Sequence, residues 1–184
     1  MTSKVDIFSG ASVAVGAGPV TDVNEDTTQA IALRARYDEV VETALTSHRW
    51  GFARRKKTLS KLTDPPLNEY SAAFQIPAEA LAIFRVRPDV KYSIQGREIL
   101  TNAGSMDSDY IARVSEGDFP GYFVNALVSE LAAQIAIPVT RDAKIAQYYK
   151  SEALFAWRTA RSIDSMQRPT EAADDHPFIW ARSA

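Results

Sequence analysis

The chain has two histidines and no cysteine, and that narrows its chemistry at once. Without thiols there is no disulfide, iron–sulfur cluster, thiolate zinc site or cysteine nucleophile. A serine nucleophile needs an imidazole base that a carboxylate orients. His48 falls at the end of an amphipathic segment and His176 in a C-terminal stretch without period, so a helix-end residue and an exposed residue are expected rather than bases. Asp174, Asp175 and His176 are adjacent, but metal sites draw ligands that converge from several parts of a chain. Gly16-Ala17-Gly18 runs into Pro19 and lacks the third glycine of a dinucleotide loop. Glu39 and Glu42 share a helical segment with Arg34 and Arg36 and read as a solvated face. No catalytic residue, metal ligand or cofactor is expected, and the chain is expected to work by binding, not as an enzyme.

One charge run stands out. Arg49, Arg54, Arg55, Lys56, Lys57 and Lys61 come within thirteen residues, with Trp50 and Phe52 among them. Basic residues beside aromatics suit the backbone and bases of nucleic acid, which makes Arg54, Arg55, Lys56 and Lys57 candidate DNA contacts and a nucleic-acid-binding module the alternative function. The same pattern suits a solvated edge strand, where lysines discourage edge-to-edge pairing. Acids elsewhere bring the net charge to −2, which favours the edge-strand reading.

These residues need a scaffold. At 184 residues the chain is long enough for one domain with a real core. There is no unbroken run of about 18 apolar residues, so neither a membrane span nor a membrane anchor is expected. The expected class is mainly α with a small antiparallel β region: an α+β chain of helix bundle, β-hairpins and an extended C-terminal tail.

Residues 1–23 are expected to form an arm or a short helix over 3–15, which Gly16, Gly18 and Pro19 would stop. Residues 24–166 form the expected main domain. Asn24 is a plausible N-cap for a helix over 25–47, in which Leu33, Tyr37, Val40, Ala44 and His48 recur at three- and four-residue steps. Residues 50–114 hold short aromatic and β-branched runs, the pattern of a small antiparallel sheet packed on helices. Gln95-Gly96 between two such runs marks a tight hairpin. A helix over 120–137 follows, with a Phe123, Leu127, Leu131, Ile135 seam and Pro138 as its stop. Thr140 is the expected cap of a last helix over 141–165, bounded by Pro169. Tyr148, Phe155 and Trp157 lie off that helix's main stripe, so it should be covered on two sides. The tail, 167–184, ends in an apolar cluster, Pro177, Phe178, Ile179 and Trp180, that should be buried somewhere.

Five ordered segments resemble the tail tubular protein A family, the head-to-tail adaptors of short-tailed phages. They are YDEVVETALTSHRWGFARRKKTL, YSAAFQIPAEALAIFRV, YSIQGREILTN, YIARV followed by FPGYFVNALVSELAAQIAIPVT, and YYKSEALFAWRTARSID. The similarity covers about residues 24–165. The resemblance implies a homo-oligomeric ring of about twelve copies, closed by heterologous contacts. It implies a portal protein on one side, a tail nozzle (tail tubular protein B) on the other, and genomic DNA passing through the lumen. The implied location is the virion neck, assembled in the host cytoplasm. Pro177, Phe178, Ile179 and Trp180 would dock into the portal, Tyr148, Phe155 and Trp157 would line the subunit interface, and the Gln95, Gly96, Arg97 hairpin would face the nozzle.

Overall fold

The computed structural model describes residues 2–64, 66 and 69–167. Among the described residues, four α-helices and two antiparallel sheets make an α+β fold, as the sequence pattern predicts. The helices are α1 (Lys4–Ala14), α2 (Thr28–Thr46), α3 (Gly121–Thr140) and α4 (Ala143–Met166). The strands are β1 (Arg54–Thr58), β2 (Ser60–Lys61), β3 (Ala72–Gln75), β4 (Ala80–Arg87), β5 (Tyr92–Gln95), β6 (Glu98–Thr101) and β7 (Asp107–Ala112).

Helix α3 is the centre of the bundle. It packs against α1, α2 and α4, and its predicted seam of Phe123, Leu127, Leu131 and Ile135 is fully buried. By length and a mean hydropathy of 1.4 it meets the description of a membrane-crossing helix, although no unbroken apolar run marks it. Ser129 and Gln134 interrupt the run without lowering its mean enough to matter.

The N-terminal segment forms a helix because its first turn is closed at both ends of a capping box. The Ser3 hydroxyl accepts from the Asp6 amide at 3.2 Å, and the Asp6 carboxylate accepts from the Ser3 amide at 2.8 Å. Gly16, at φ +81°, ends it in a conformation that a Cβ would resist. Ile7, Phe8 and Ala11 join the main core, and Phe8 meets the Tyr37 ring edge-on at 5.3 Å.

Helix α2 starts three residues later than an Asn24 cap would place it. The Glu25 carboxylate instead accepts from the amides of Thr21 and Asp22 and the Thr21 hydroxyl, closing a separate turn ahead of Thr27. Those bonds hold the Glu25 carboxyl below its usual range, the Thr21 hydroxyl first among them.

Pro138 does not stop α3. Its ring forfeits one helical bond near the end of the helix, and the last turn is held by Thr140, whose hydroxyl donates to the Ala136 carbonyl at 2.7 Å. Arg141 then turns the chain in the left-handed region at φ 56°. Thr140 is therefore the end of α3 and not the cap of α4. That cap is Asp142, whose carboxylate accepts from the Lys144 amide at 2.7 Å. Helix α4 ends at Met166, and Pro169 lies outside the described residues.

The β region is two sheets where one was expected. The orders are β1-β7-β4 and β2-β3-β6-β5. A single extended stretch, residues 54–61, supplies an edge strand to both. It changes sheets at Leu59, which is buried and whose amide donates to the Met106 carbonyl at 2.8 Å. The β5–β6 hairpin turns at Gln95-Gly96, with Gly96 at φ +58°.

Arg141 carries a backbone penalty that glycine would avoid. Arg141→Gly is expected to raise stability by about 0.5 kcal/mol, the relief of strain less the added freedom of the unfolded chain. A urea midpoint that falls would show that the arginine side chain contributes more than its backbone costs.

Candidate functional site

Trp50 organises the ground on which every candidate surface stands. It is fully buried, and its indole N–H donates to the Ala44 carbonyl at 2.8 Å. Five rings surround it: His48 at 4.8 Å, Phe123 at 5.2 Å, Phe52 and Trp157 at 6.0 Å each, and Tyr122 at 6.5 Å. These rings come from the α2–β1 turn, α3 and α4.

His48 is more than a helix-end residue. Its Nε2 lies 3.4 Å from Asp164, a carboxylate only 1% exposed near the end of α4. Asp164 also accepts from the Gly51 amide at 2.9 Å and the Tyr122 hydroxyl at 3.1 Å. An amide, a phenol and an imidazole from two other parts of the chain thus fasten the end of α4 to the turn before β1. At the end of α4 the buried position is Asp164, while its apolar neighbour Ile163 is exposed. A lone aspartate in an amphipathic helix gives no sign in sequence that it faces inward.

Helix α4 carries a line of large apolar side chains in the open. Its inner side is Ala153, Ala156 and Ala160, packed toward the core. Tyr148, Phe155 and Met166 stand 57%, 68% and 80% exposed. They are spaced by 7 and then 11 residues, about two and three turns, so they form one line along the helix. Trp157 does not belong to that line. It is half-buried against Trp50 and Phe123, and its indole donates to Glu130 at 3.3 Å, so it serves the core first. It also lines a groove of about 360 Å³ between α2, α3 and α4, together with Val40, Ala44, Leu154 and Arg161.

The basic run sorts into different roles. All of β1 is exposed, and it is one of the two edge strands of its sheet, β4 being the other. Arg55 turns back and donates to the carbonyls of Phe52 and Arg54 at 2.9 Å each. Lys57 sits 3.8 Å from Glu79. Glu79 is held below the usual carboxylate range by a backbone hydrogen bond and then by the Tyr110 hydroxyl. Tyr110 is pushed up to about 12, by burial first and by Glu79 second. Arg54 and Lys56 remain directed outward. The aromatics adjacent in sequence, Trp50 and Phe52, face the core and cannot serve as a stacking platform. The ring that stands with the arginines is Phe84 of β4, 5.1 Å from the Arg49 guanidinium and 5.6 Å from that of Arg54. Pairing across strands brought it there, which linear proximity could not reveal.

In the hairpin, Gln95 and Gly96 are exposed at the turn. Arg97 is not directed away from the fold: its guanidinium donates to the carbonyls of Pro77 and Ala80 and ties the hairpin to the turn before β4. Pro177, Phe178, Ile179 and Trp180 lie outside the described residues, as do Asp174, Asp175 and His176. Among the described residues no three His, Asp or Glu side chains gather to hold a metal ion.

Removing the Asp164 carboxylate takes away the acceptor shared by the Gly51 amide and the Tyr122 hydroxyl. Asp164→Ala is expected to cost about 2–4 kcal/mol in denaturant unfolding, and Asp164→Asn, which keeps an acceptor, less. Equal losses for both would mean that charge and not hydrogen bonding holds the clasp.

No protein-family model matches the chain, and no curated protein matches it at a significant level.

Proposed function

We propose that this chain is a structural head-to-tail adaptor of a phage virion, not an enzyme, that assembles as a ring between portal and tail nozzle and lets DNA pass. One observation supports it beyond the ordered sequence resemblance: α4 sets large apolar side chains on its exposed side. A helix buried once against its own bundle and exposing a line of Tyr148, Phe155 and Met166 is suited to a neighbour on its outer flank. In a closed ring each subunit has such a neighbour on both flanks.

The exposed hairpin tip at Gln95 and Gly96 is the proposed nozzle contact, and the Pro177–Trp180 cluster the proposed portal anchor. The anchor reading rests on composition: an aromatic and aliphatic cluster after a polar stretch suits capture in a partner's pocket. Location in the virion neck follows from the same reading.

Tyr148→Asp with Phe155→Asp places two charges on the outer line of α4 without touching the core. With the cognate portal present, the unaltered chain should give rings by negative-stain electron microscopy. The double variant should sediment as a monomer with unchanged helical circular dichroism. A variant that assembles normally removes α4 from the interface. Deleting residues 170–184 should abolish portal binding while the helical signal stays, and retained binding removes the tail from the reading.

A further inference from the structure

We propose that the groove between α2, α3 and α4 is the seat of this chain's own C-terminal cluster, Phe178, Ile179 and Trp180, in the unassembled subunit. Val40 and Ala44 of α2 and Leu154 and Trp157 of α4 line a space of about 360 Å³. Ala44 is buried, Val40 and Trp157 are half-buried, and Leu154 stands 55% exposed. Clefts that bury small ligands begin at about 300 Å³, so the groove has room for an aromatic side chain and part of its neighbour. Leu154, Trp157 and Arg161 follow the groove at three- and four-residue steps, on one face of α4. Tyr148, Phe155 and Met166 lie on another face, so the groove is a separate surface.

The order of residues beyond α4 matches the order along the groove. The chain leaves α4 at Gln167, six residues and about 9 Å past Arg161. Running back from there, the groove presents Arg161, then Trp157, then Leu154. The segment 168–184 presents Asp174 and Asp175 first, then Phe178, Ile179 and Trp180. The ten residues 168–177 span about 30 Å when extended. Leu154 lies only about 20 Å back along the helix from Gln167, which leaves slack for the turn.

Charge fits the same order. Two acids line the groove and both are engaged: Glu39 pairs with Arg36 at 3.2 Å, and Glu130 accepts from the Trp157 indole at 3.3 Å. Arg161 is half-buried, and among the described residues no carboxylate forms an ion pair with it. Asp174 and Asp175 supply that carboxylate, and the cluster after them covers Leu154 and Trp157. A second copy's cluster is the weaker occupant, because a tethered one meets the groove at an effective concentration of about a millimolar. The same cluster is the proposed portal anchor, and the groove keeps it covered until a partner's pocket binds it more tightly.

The inference is read on the free chain and does not rest on the ring reading, so its failure leaves that reading untouched. The chain has no cysteine, so a pair can be introduced without competing thiols. Thr43→Cys sets a thiol on the rim of the groove, and Glu42→Cys sets one a residue away, exposed but outside it. Each is combined with Ala181→Cys, which leaves the cluster intact. On mild oxidation of dilute full-length protein, the Thr43 pair should close an intramolecular disulfide at least about tenfold faster than the Glu42 pair, read by non-reducing gel and intact mass. Adding Phe178→Ala with Trp180→Ala should remove that advantage. Arg161→Glu should slow closure a few-fold, and Asp174→Lys with Asp175→Lys should restore it. Equal rates for the two pairs overturn the proposal, and so does an advantage that survives the loss of Phe178 and Trp180. Disulfide-linked dimers in place of the intramolecular bridge also overturn it, in favour of a groove that takes the tail of a second copy.

Discussion

The burial of Trp50 is the constraint on which the rest of this fold depends. It stands between the end of α2 and the start of β1, where the chain passes from bundle to sheet. Rings from α3, α4 and the turn itself close around it, and its one polar atom is satisfied by Ala44. Truncating a side chain of this size in a core typically costs about 3–5 kcal/mol, a large share of the stability of an ordinary domain. The bundle and the sheets are joined through it.

Asp164 does polar work at the same seam. A buried carboxylate is costly unless its oxygens are engaged, and here an amide, a phenol and an imidazole engage them. The arrangement fixes the last turn of α4, from which residues 168–184 continue. It also fixes His48, and so the backbone from which Arg49 projects. Packing and hydrogen bonding at one place thus fix both the end of α4 and the turn before β1.

Periodicity made the helices legible because each buries one stripe against its neighbours. The α3 seam is buried as its spacing predicts, and so are Leu33, Tyr37 and Ala44 of the α2 stripe, while Val40 and His48 are half-buried and Val41 and Leu45 are buried beside them. Ends were harder, because caps are decided by single hydrogen bonds. Glu25 closes a turn of its own, and Asp142 rather than Thr140 caps α4. Ser3 and Asp6 did carry the capping-box spacing, a signal within reach of the sequence. The sheets hid most, since strand pairing is non-local. Nothing local announces that residues 54–61 edge two sheets, or that Phe84 lies beside Arg49 and Arg54. Trp157, off the main stripe, still reaches the core through Trp50 and Phe123.

The apolar line of α4 and the basic edge of β1 are separated by chemistry as well as by place. An apolar line gains by excluding water from a fitted neighbour, and its effect grows with area and fit. A cationic edge gains by releasing counterions, and its effect decays with salt whatever the fit. The α4 line lies on a helix whose far side is alanine, which keeps the backbone close to α3 and leaves the large side chains outside. The β1 edge alternates residues that serve the fold, Arg55 and Lys57, with residues directed outward, Arg54 and Lys56. Edge protection alone would be met by charge at any of these positions. It does not by itself explain why arginines from the turn and from the strand share one ring.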